Sequence, residues 1–352
     1  MRSKKLSERT IDLRSDTVSP LSLEMRNAIF NAKAGDELYG DYSSTSELEE
    51  YCAQLFKKEA AVFVPSGIMA NQISIRCHTL PGDSVLCNKQ YHLYYYESAA
   101  TSDLGKVSFC LSNNEEGFIA PKEILDATSI SQYHAAASKV TLLWIENTIN
   151  ALGGKIYPLN AFLETCLIAK EQNLSIHLDG ARLFNAAVAT DTPIYLYAQV
   201  VDSIMLSFTK SLGAPLGAIL VGSSEVIEKA RKFKKWYGGG MHQSCLMAAA
   251  CLYAIKNNVN RIKTDHDHAK LFSNIISQDK RLFIFPVETN IILINISKLG
   301  MSSKEIALKA KELNILVYAW NKSHIRVVTH AGISHSDVVQ AASTLLELFS
   351  KL

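Results

Sequence analysis

Three residue groups in this chain could do chemistry together. Lys210 lies in Ser207-Phe208-Thr209-Lys210-Ser211-Leu212-Gly213-Ala214-Pro215, where a lysine leaves an apolar stretch and enters a turn of small residues. A desolvated lysine amine forms an imine with an aldehyde, and neighbouring cations help lower its pKa. Asp179 lies in Leu178-Asp179-Gly180-Ala181-Arg182, at the end of an apolar run. A carboxylate there is costly to bury without a partner, and a protonated pyridine nitrogen is one such partner. Arg182, three residues on, is a candidate bidentate clamp for a carboxylate. The third group is Val64-Pro65-Ser66-Gly67-Ile68-Met69-Ala70-Asn71. There a strand, a tight turn and a helix start would aim backbone N–H groups and a positive helix end at a phosphate. Each has an ordinary competitor: a solvated loop lysine, a helix-capping aspartate, a plain strand-to-helix turn.

The elements that must position them follow from hydrophobic periodicity. Ser44-Thr45-Ser46-Glu47 has capping-box spacing ahead of Leu48, Tyr51, Cys52, Leu55 and Phe56. Residues 60–64 read as a buried strand and 84–87, 106–111, 140–146, 175–178 and 203–206 as further strands, most of them separated by helical stretches such as 69–78 and 159–172. This alternation predicts an α/β fold, a mostly parallel sheet with helices on both faces. Ligands bind beyond the carboxyl ends of such strands. That rule singles out Gly67, Asp179 and Lys210. Past about Ala254 the pattern becomes a smaller α+β domain, with strands expected at 283–296, 316–320 and 325–328. The expected division is an N-terminal arm over 1–26, a large cofactor domain over 27–254 and a small domain over 255–352.

Composition sets outer limits. The chain has 352 residues, 48% of them hydrophobic and 20% charged, with a net charge of +2. That balance offers no global field for nucleic acid or an anionic membrane. No apolar run approaches a membrane span, and the polar first ten residues are unlike a secretory signal. The seven cysteines include no C-x-x-C pair, which predicts reduced structural thiols in a cytoplasmic protein. Arg231, Lys232, Lys234 and Lys235 read as a solvated helix face. Asp265-His266-Asp267-His268 reads as surface, since neighbours on a helix cannot converge on one metal ion. No metal site is expected.

An anion cradle, an acid for a pyridine nitrogen and an imine lysine, in that order, match the needs of pyridoxal 5'-phosphate. At these residues the chain resembles the L-threonine aldolases, fold-type-I pyridoxal-phosphate enzymes of the aromatic amino acid beta-eliminating lyase and threonine aldolase superfamily. The resemblance spans nearly the whole chain. It is carried by residues 11–18, 35–40, 63–67, Glu146-Asn147-Thr148, 177–186, the Lys210 segment, Gly238-Gly239-Gly240-Met241, Glu288-Thr289-Asn290 and 326–330. It implies that Lys210 holds the cofactor, Asp179 pairs with the pyridinium and His92 stacks on the ring. It assigns the phosphate to Gly67 and its neighbours, including Ile68 and His242. It assigns the substrate carboxylate to Ser15, Arg182 and Arg326. Tyr39 falls where relatives lend an aromatic side chain to the neighbouring subunit's site, which implies a homodimer or homotetramer with shared active sites.

The implied reaction is retro-aldol cleavage of L-threonine, L-allo-threonine or a related L-β-hydroxy-α-amino acid to glycine and an aldehyde. His92, His134 or a bound water could serve as base. The alternatives are β-elimination or racemisation on the same scaffold, and a non-catalytic cofactor-binding protein. The chain departs from the family at Ile68 (usually threonine), Ile149 (usually histidine) and His242 (usually arginine), and in the Thr209 and Ser211 flanks of Lys210.

Overall fold

A computed structural model describes residues 9–134 and 136–352. The chain divides into two compact units. The larger comprises Leu21–Leu152 and Ile156–Val259; the smaller comprises the residues through Pro20, Gly153–Lys155 and Asn260–Leu352. The expected boundary at 254 falls within a helix, Cys245–Asn257.

The larger unit is built on a seven-stranded sheet. Its order is Ala60–Val64, Ala218–Gly222, Ser203–Ser207, Ser175–Asp179, Val140–Glu146, Ser84–Asn88 and Ser108–Ser112. All neighbours pair in parallel except Ala218–Gly222, which is antiparallel to both strands beside it. The sheet is therefore mostly parallel, as its alternating elements predict. Sequence reasoning omitted the antiparallel strand, because a short apolar run after Pro215 does not reveal its direction.

Every residue of 84–88, 203–207 and 218–222 is buried, so both faces of these strands are covered. On one face Val62, Val64, Met205, Ala218 and Leu220 pack with Ala70 and Ile73 of helix Gly67–His78 and with Ile227 and Ala230 of helix Ser224–Trp236. Each such large apolar side chain contributes about 1.5–3 kcal/mol on burial.

The capping box starts one residue earlier than expected. Ser43 caps helix Ser44–Phe56, its Oγ accepting from Thr45 N at 3.3 Å, and Ser46 Oγ accepts in return from Ser43 N at 3.5 Å. Serines at 43, 44 and 46 leave the frame ambiguous to sequence alone.

In the smaller unit, strands Tyr318–Asn321, His324–Val328, Ile291–Asn295 and Phe283–Ile284 form an antiparallel sheet in that order. Ile11–Asp12 pairs in parallel with Ile315–Leu316. Leu13, Phe272, Ile294, Val327, Leu345 and Phe349 share its core.

Two surface assignments are corrected. Asp265 and His266 are buried. Asp265 takes two hydrogen bonds from Arg261, at 2.6 and 2.8 Å, and burial pushes the His266 imidazole down to about 4. The basic helix face is likewise half interior. Lys234 is only 1% exposed and donates to both Glu37 oxygens, at 2.8 and 2.6 Å, while Arg231 pairs with buried Glu49 at 2.5 Å. Charged residues read as solvated until their partners are placed, and these partners lie nearly two hundred positions away in sequence. All seven cysteines are free thiols. Among the described residues no helix is long and apolar enough to cross a membrane.

Candidate active site

The site of the larger unit lies where the parallel strands end. Ala60–Val64 runs into the Ser66 turn, and Ser66 Oγ accepts from Met69 N at 3.2 Å, capping helix Gly67–His78. The first helical amides, at Gly67 and Ile68, precede any intrahelical acceptor and suit an anion. Ile68 is half exposed. A Cβ at Gly239 would stand 2.5 Å from Met69 Sδ, so the glycine-rich segment abuts this helix start. His242, on the same segment, places Nδ1 3.0 Å from Asp36 Oδ2. Its imidazole is thus already directed to a carboxylate.

Strand Ser175–Asp179 ends on the acid itself. Asp179 is 2% exposed and its carboxylate accepts from Ala181 N at 3.1 Å and Asn71 Nδ2 at 3.0 Å. Burial raises its pKa, and nearby His92 and these donors oppose the rise. Gly180 must lack a side chain, because a Cβ there would lie 2.8 Å from the Met205 carbonyl oxygen of the adjacent strand. Arg182 is buried and its Nη1 donates to Asn150 Oδ1 at 3.3 Å.

The neighbouring strand Val140–Glu146 brings a second acid into register, with Glu146 opposite Asp179. Glu146 is buried and accepts from His92 N at 2.5 Å and Asn150 N at 2.8 Å. Burial first, then the Asp179 charge, push its pKa up to about 7. His92 starts helix His92–Ala100, and its Nδ1 lies 2.8 Å from Glu97 Oε1. Burial lowers the imidazole pKa, but the Glu97 hydrogen bond and the Asp179 charge outweigh it and the net shift is upward.

Lys210 follows strand Ser203–Ser207 on a loop that returns antiparallel to Ala218. Phe208 N donates to Gly217 O at 3.0 Å and Gly213 N to Lys210 O at 2.8 Å, with Gly213 in the left-handed region at φ +75°. Gly217 N donates to Pro65 O at 3.0 Å, which ties the lysine loop to the Ser66 turn.

Of the sequence-derived candidates, Gly67, Ile68, His92, Asp179, Arg182, Lys210, His242 and Tyr39 belong to this unit. Direct contacts link His92 and Asp179 through Glu97 and Asn71. Tyr39 is 79% exposed. His134 is exposed after helix Pro121–Tyr133. Ile149 is fully buried. Ser15 and Arg326 belong to the smaller unit. There Arg326 lies 5.0 Å from the Tyr318 ring and 4.9 Å from the Trp320 ring and donates to Arg14 O at 3.2 Å. Ser15 Oγ accepts from Thr17 N at 3.2 Å. Sequence reasoning missed Glu97, Asn71 and the carboxyl of Glu146 as neighbours of Asp179. For Glu97 the available signal was an acid five residues after His92, while Asn71 and Glu146 stood in segments already singled out but without a role.

These residues fit pyridoxal phosphate. A buried carboxylate with two N–H donors and a histidine close by suits a protonated ring nitrogen, while a helix start suits the phosphate.

Comparison with known proteins agrees with this geometry. The threonine aldolase of Leishmania major superposes with a TM-score of 0.82 at 17% identity, over 96% of this chain and 99% of its own, which establishes the fold-type-I architecture. The beta-eliminating lyase family matches residues 12–298. Low-specificity L-threonine aldolase 1 of Arabidopsis thaliana is 36% identical over 335 residues, 94% of each chain. Low specificity L-threonine aldolase of Escherichia coli K12 is 33% identical over 334 residues, covering 95% of this chain and 97% of its own. This chain belongs to the beta-eliminating lyase family.

Proposed function

We propose that the protein is a pyridoxal-phosphate-dependent aldolase that cleaves L-threonine, L-allo-threonine or a related L-β-hydroxy-α-amino acid to glycine and an aldehyde. The observation that carries it is the buried, amide-supported Asp179 at a strand end, with His92 nearby and the strand that leads to Lys210 paired beside it. Names of relatives that match along nearly their whole length support the substrate class.

Bound there, the cofactor supplies a sink for the electron pair released as Cα–Cβ breaks. Lys210 attaches it through its amine, and Asp179 keeps a proton on the ring nitrogen. The Gly67 and Ile68 amides meet the phosphate, and His92 covers the ring. His242 takes the position of the family's phosphate arginine but is engaged by Asp36, so the backbone cradle carries most of the anion binding. Arg182 holds the substrate carboxylate with a charge-assisted fork, which orients the bond to be broken. Ser15 and Arg326 carry the same carboxylate assignment from the family resemblance. His92 Nδ1 is occupied by Glu97, so Nε2 is the ring nitrogen left to take the β-hydroxyl proton, directly or through water.

The same reading makes the protein a homodimer or homotetramer with shared sites, supported by the exposed Tyr39, and a cytoplasmic enzyme, supported by its free thiols. The test is to incubate purified protein with pyridoxal phosphate and a panel of β-hydroxy amino acids and to assay glycine and aldehyde. Stoichiometric release of both is expected. Ammonia and a keto acid without glycine would overturn the aldolase assignment in favour of elimination.

A further inference from the structure

Glu97 enters the reaction outlined above only as the occupant of His92 Nδ1, yet its contacts reach further. It sits 2% exposed on helix His92–Ala100, and a buried carboxylate is unfavourable unless donors replace its water. Three donors do so. Asn71 Nδ2 reaches Oε1 at 2.9 Å, His92 Nδ1 reaches the same oxygen at 2.8 Å, and Gln72 Nε2 reaches Oε2 at 2.8 Å. Asn71 Nδ2 also donates to Asp179 Oδ2 at 3.0 Å, so one amide group bridges the two acids. Gln72 Nε2 donates further to Thr101 Oγ1 at 3.1 Å, where a π-helical turn, Thr101–Gly105, begins. Such turns recur at functional sites.

The amide oxygens Asn71 Oδ1 and Gln72 Oε1 are buried with no hydrogen-bond partner. Turning either amide over would set its oxygen against a Glu97 carboxylate oxygen, so the network favours these orientations. A cluster that leaves two acceptors unsatisfied in order to point its amide donors at Glu97 and Asp179 is built around those two carboxyl groups.

From this geometry we infer that Glu97 is a positioning residue. It holds the His92 ring by Nδ1–H, so that Nε2 is the nitrogen presented to the chemistry, and through Asn71 it shares a donor with Asp179. The inference rests on the reading of His92 and Asp179 as cofactor-contacting groups. Backbone and ring of His92 are then fixed by two different acids, Glu146 at its amide and Glu97 at Nδ1. The ionisable groups facing the imidazole are Glu97 and Tyr96 from its own helix, Asp179 and Glu146 from the two strands.

The experiment is nitrogen NMR of full-length protein labelled at histidine, with and without pyridoxal phosphate, the His92 signal being assigned by its loss in His92→Asn. In wild type the neutral ring is the Nδ1–H tautomer, and Glu97→Gln lowers the His92 pKa by about one unit or more. With threonine, Glu97→Gln lowers kcat by at least about tenfold with little change in KM, shifts the acid limb of the pH profile, and Glu97→Asp recovers part of the loss. An Nε2–H tautomer in wild type overturns the inference and needs no variant to fold. So does an unchanged His92 pKa in Glu97→Gln. Wild-type protein that shows the expected titration yet cleaves no β-hydroxy amino acid would instead overturn the functional reading alone.

Discussion

Lys234 offers the sharpest test of the packing beneath the glycine-rich segment. Its ammonium is 1% exposed and is met by both oxygens of Glu37, whose side chain is 24% exposed; its carbonyl accepts from Gly239 N at 2.8 Å. Breaking a buried pair costs about 3–5 kcal/mol, most of it from the charge left behind. The two single substitutions should therefore differ. Lys234→Met strands a carboxylate that can turn towards water and still has Arg231 Nη1 at 3.5 Å, so about 2–3 kcal/mol is expected. Glu37→Leu strands an ammonium that has no route to solvent, so the full 3–5 kcal/mol range, about 4, is expected. The double variant leaves neither charge unpaired and should recover to within about 1–2 kcal/mol of wild type. Urea unfolding of all four proteins, followed by far-UV circular dichroism, supplies the cycle. Equal costs for the singles, or a double that equals their sum, would refute the argument that the partners' unequal exposure sets the energies.

Four further outcomes are expected. Borohydride treatment of the protein with pyridoxal phosphate should fix the cofactor on Lys210, and peptide mass spectrometry finding the label on another lysine would discard that assignment. Asp179→Asn keeps a single acceptor oxygen for the two donors, Ala181 N and Asn71 Nδ2, and should still bind cofactor, yet lose at least about a hundredfold in kcat, because the ring nitrogen loses its proton partner; near-normal turnover would exclude the role. Removing the guanidinium of Arg182 or Arg326 deletes a charge-assisted contact of about 1.5–3 kcal/mol, so KM for threonine should rise about tenfold or more. Unchanged kinetics in both variants would count against carboxylate binding. Glu146, raised from 4.5 to about 7, binds its proton more tightly folded than unfolded. Stability should therefore fall by about 3 kcal/mol between roughly pH 4.5 and 7 and level off above, a slope that Glu146→Gln removes; an identical pH profile in the variant would show the carboxyl is not perturbed.

Much of this molecule is legible in its residues. Buried parallel strands announce themselves as short apolar runs, and the Ser66 turn, Asp179 and Lys210 stand at their ends because that is where chain direction must change. What escaped was pairwise. Nothing local says that Lys234 faces Glu37 or that Arg231 faces Glu49, and although Arg261 stands four residues before Asp265, nothing local says that Asp265 is buried. Ala218–Gly222 reads as apolar in either direction. The cluster of Glu97, Asn71 and Gln72 was hidden for the same reason: amides and an acid on two helices look like surface until the helices are set side by side.

The antiparallel strand Ala218–Gly222 has a consequence for how the site is assembled in time. Asp179 pairs with strands reached through long crossovers, contacts that form only after much of the chain has been ordered. Lys210 sits instead in a hairpin whose stem, Ser207 opposite Ala218, closes over a short stretch of chain. Hairpins of this kind close in microseconds, well before non-local pairing. The lysine loop can therefore acquire its shape as a local unit, and its docking onto Pro65 marks the later step at which Lys210 and the Ser66 turn come together.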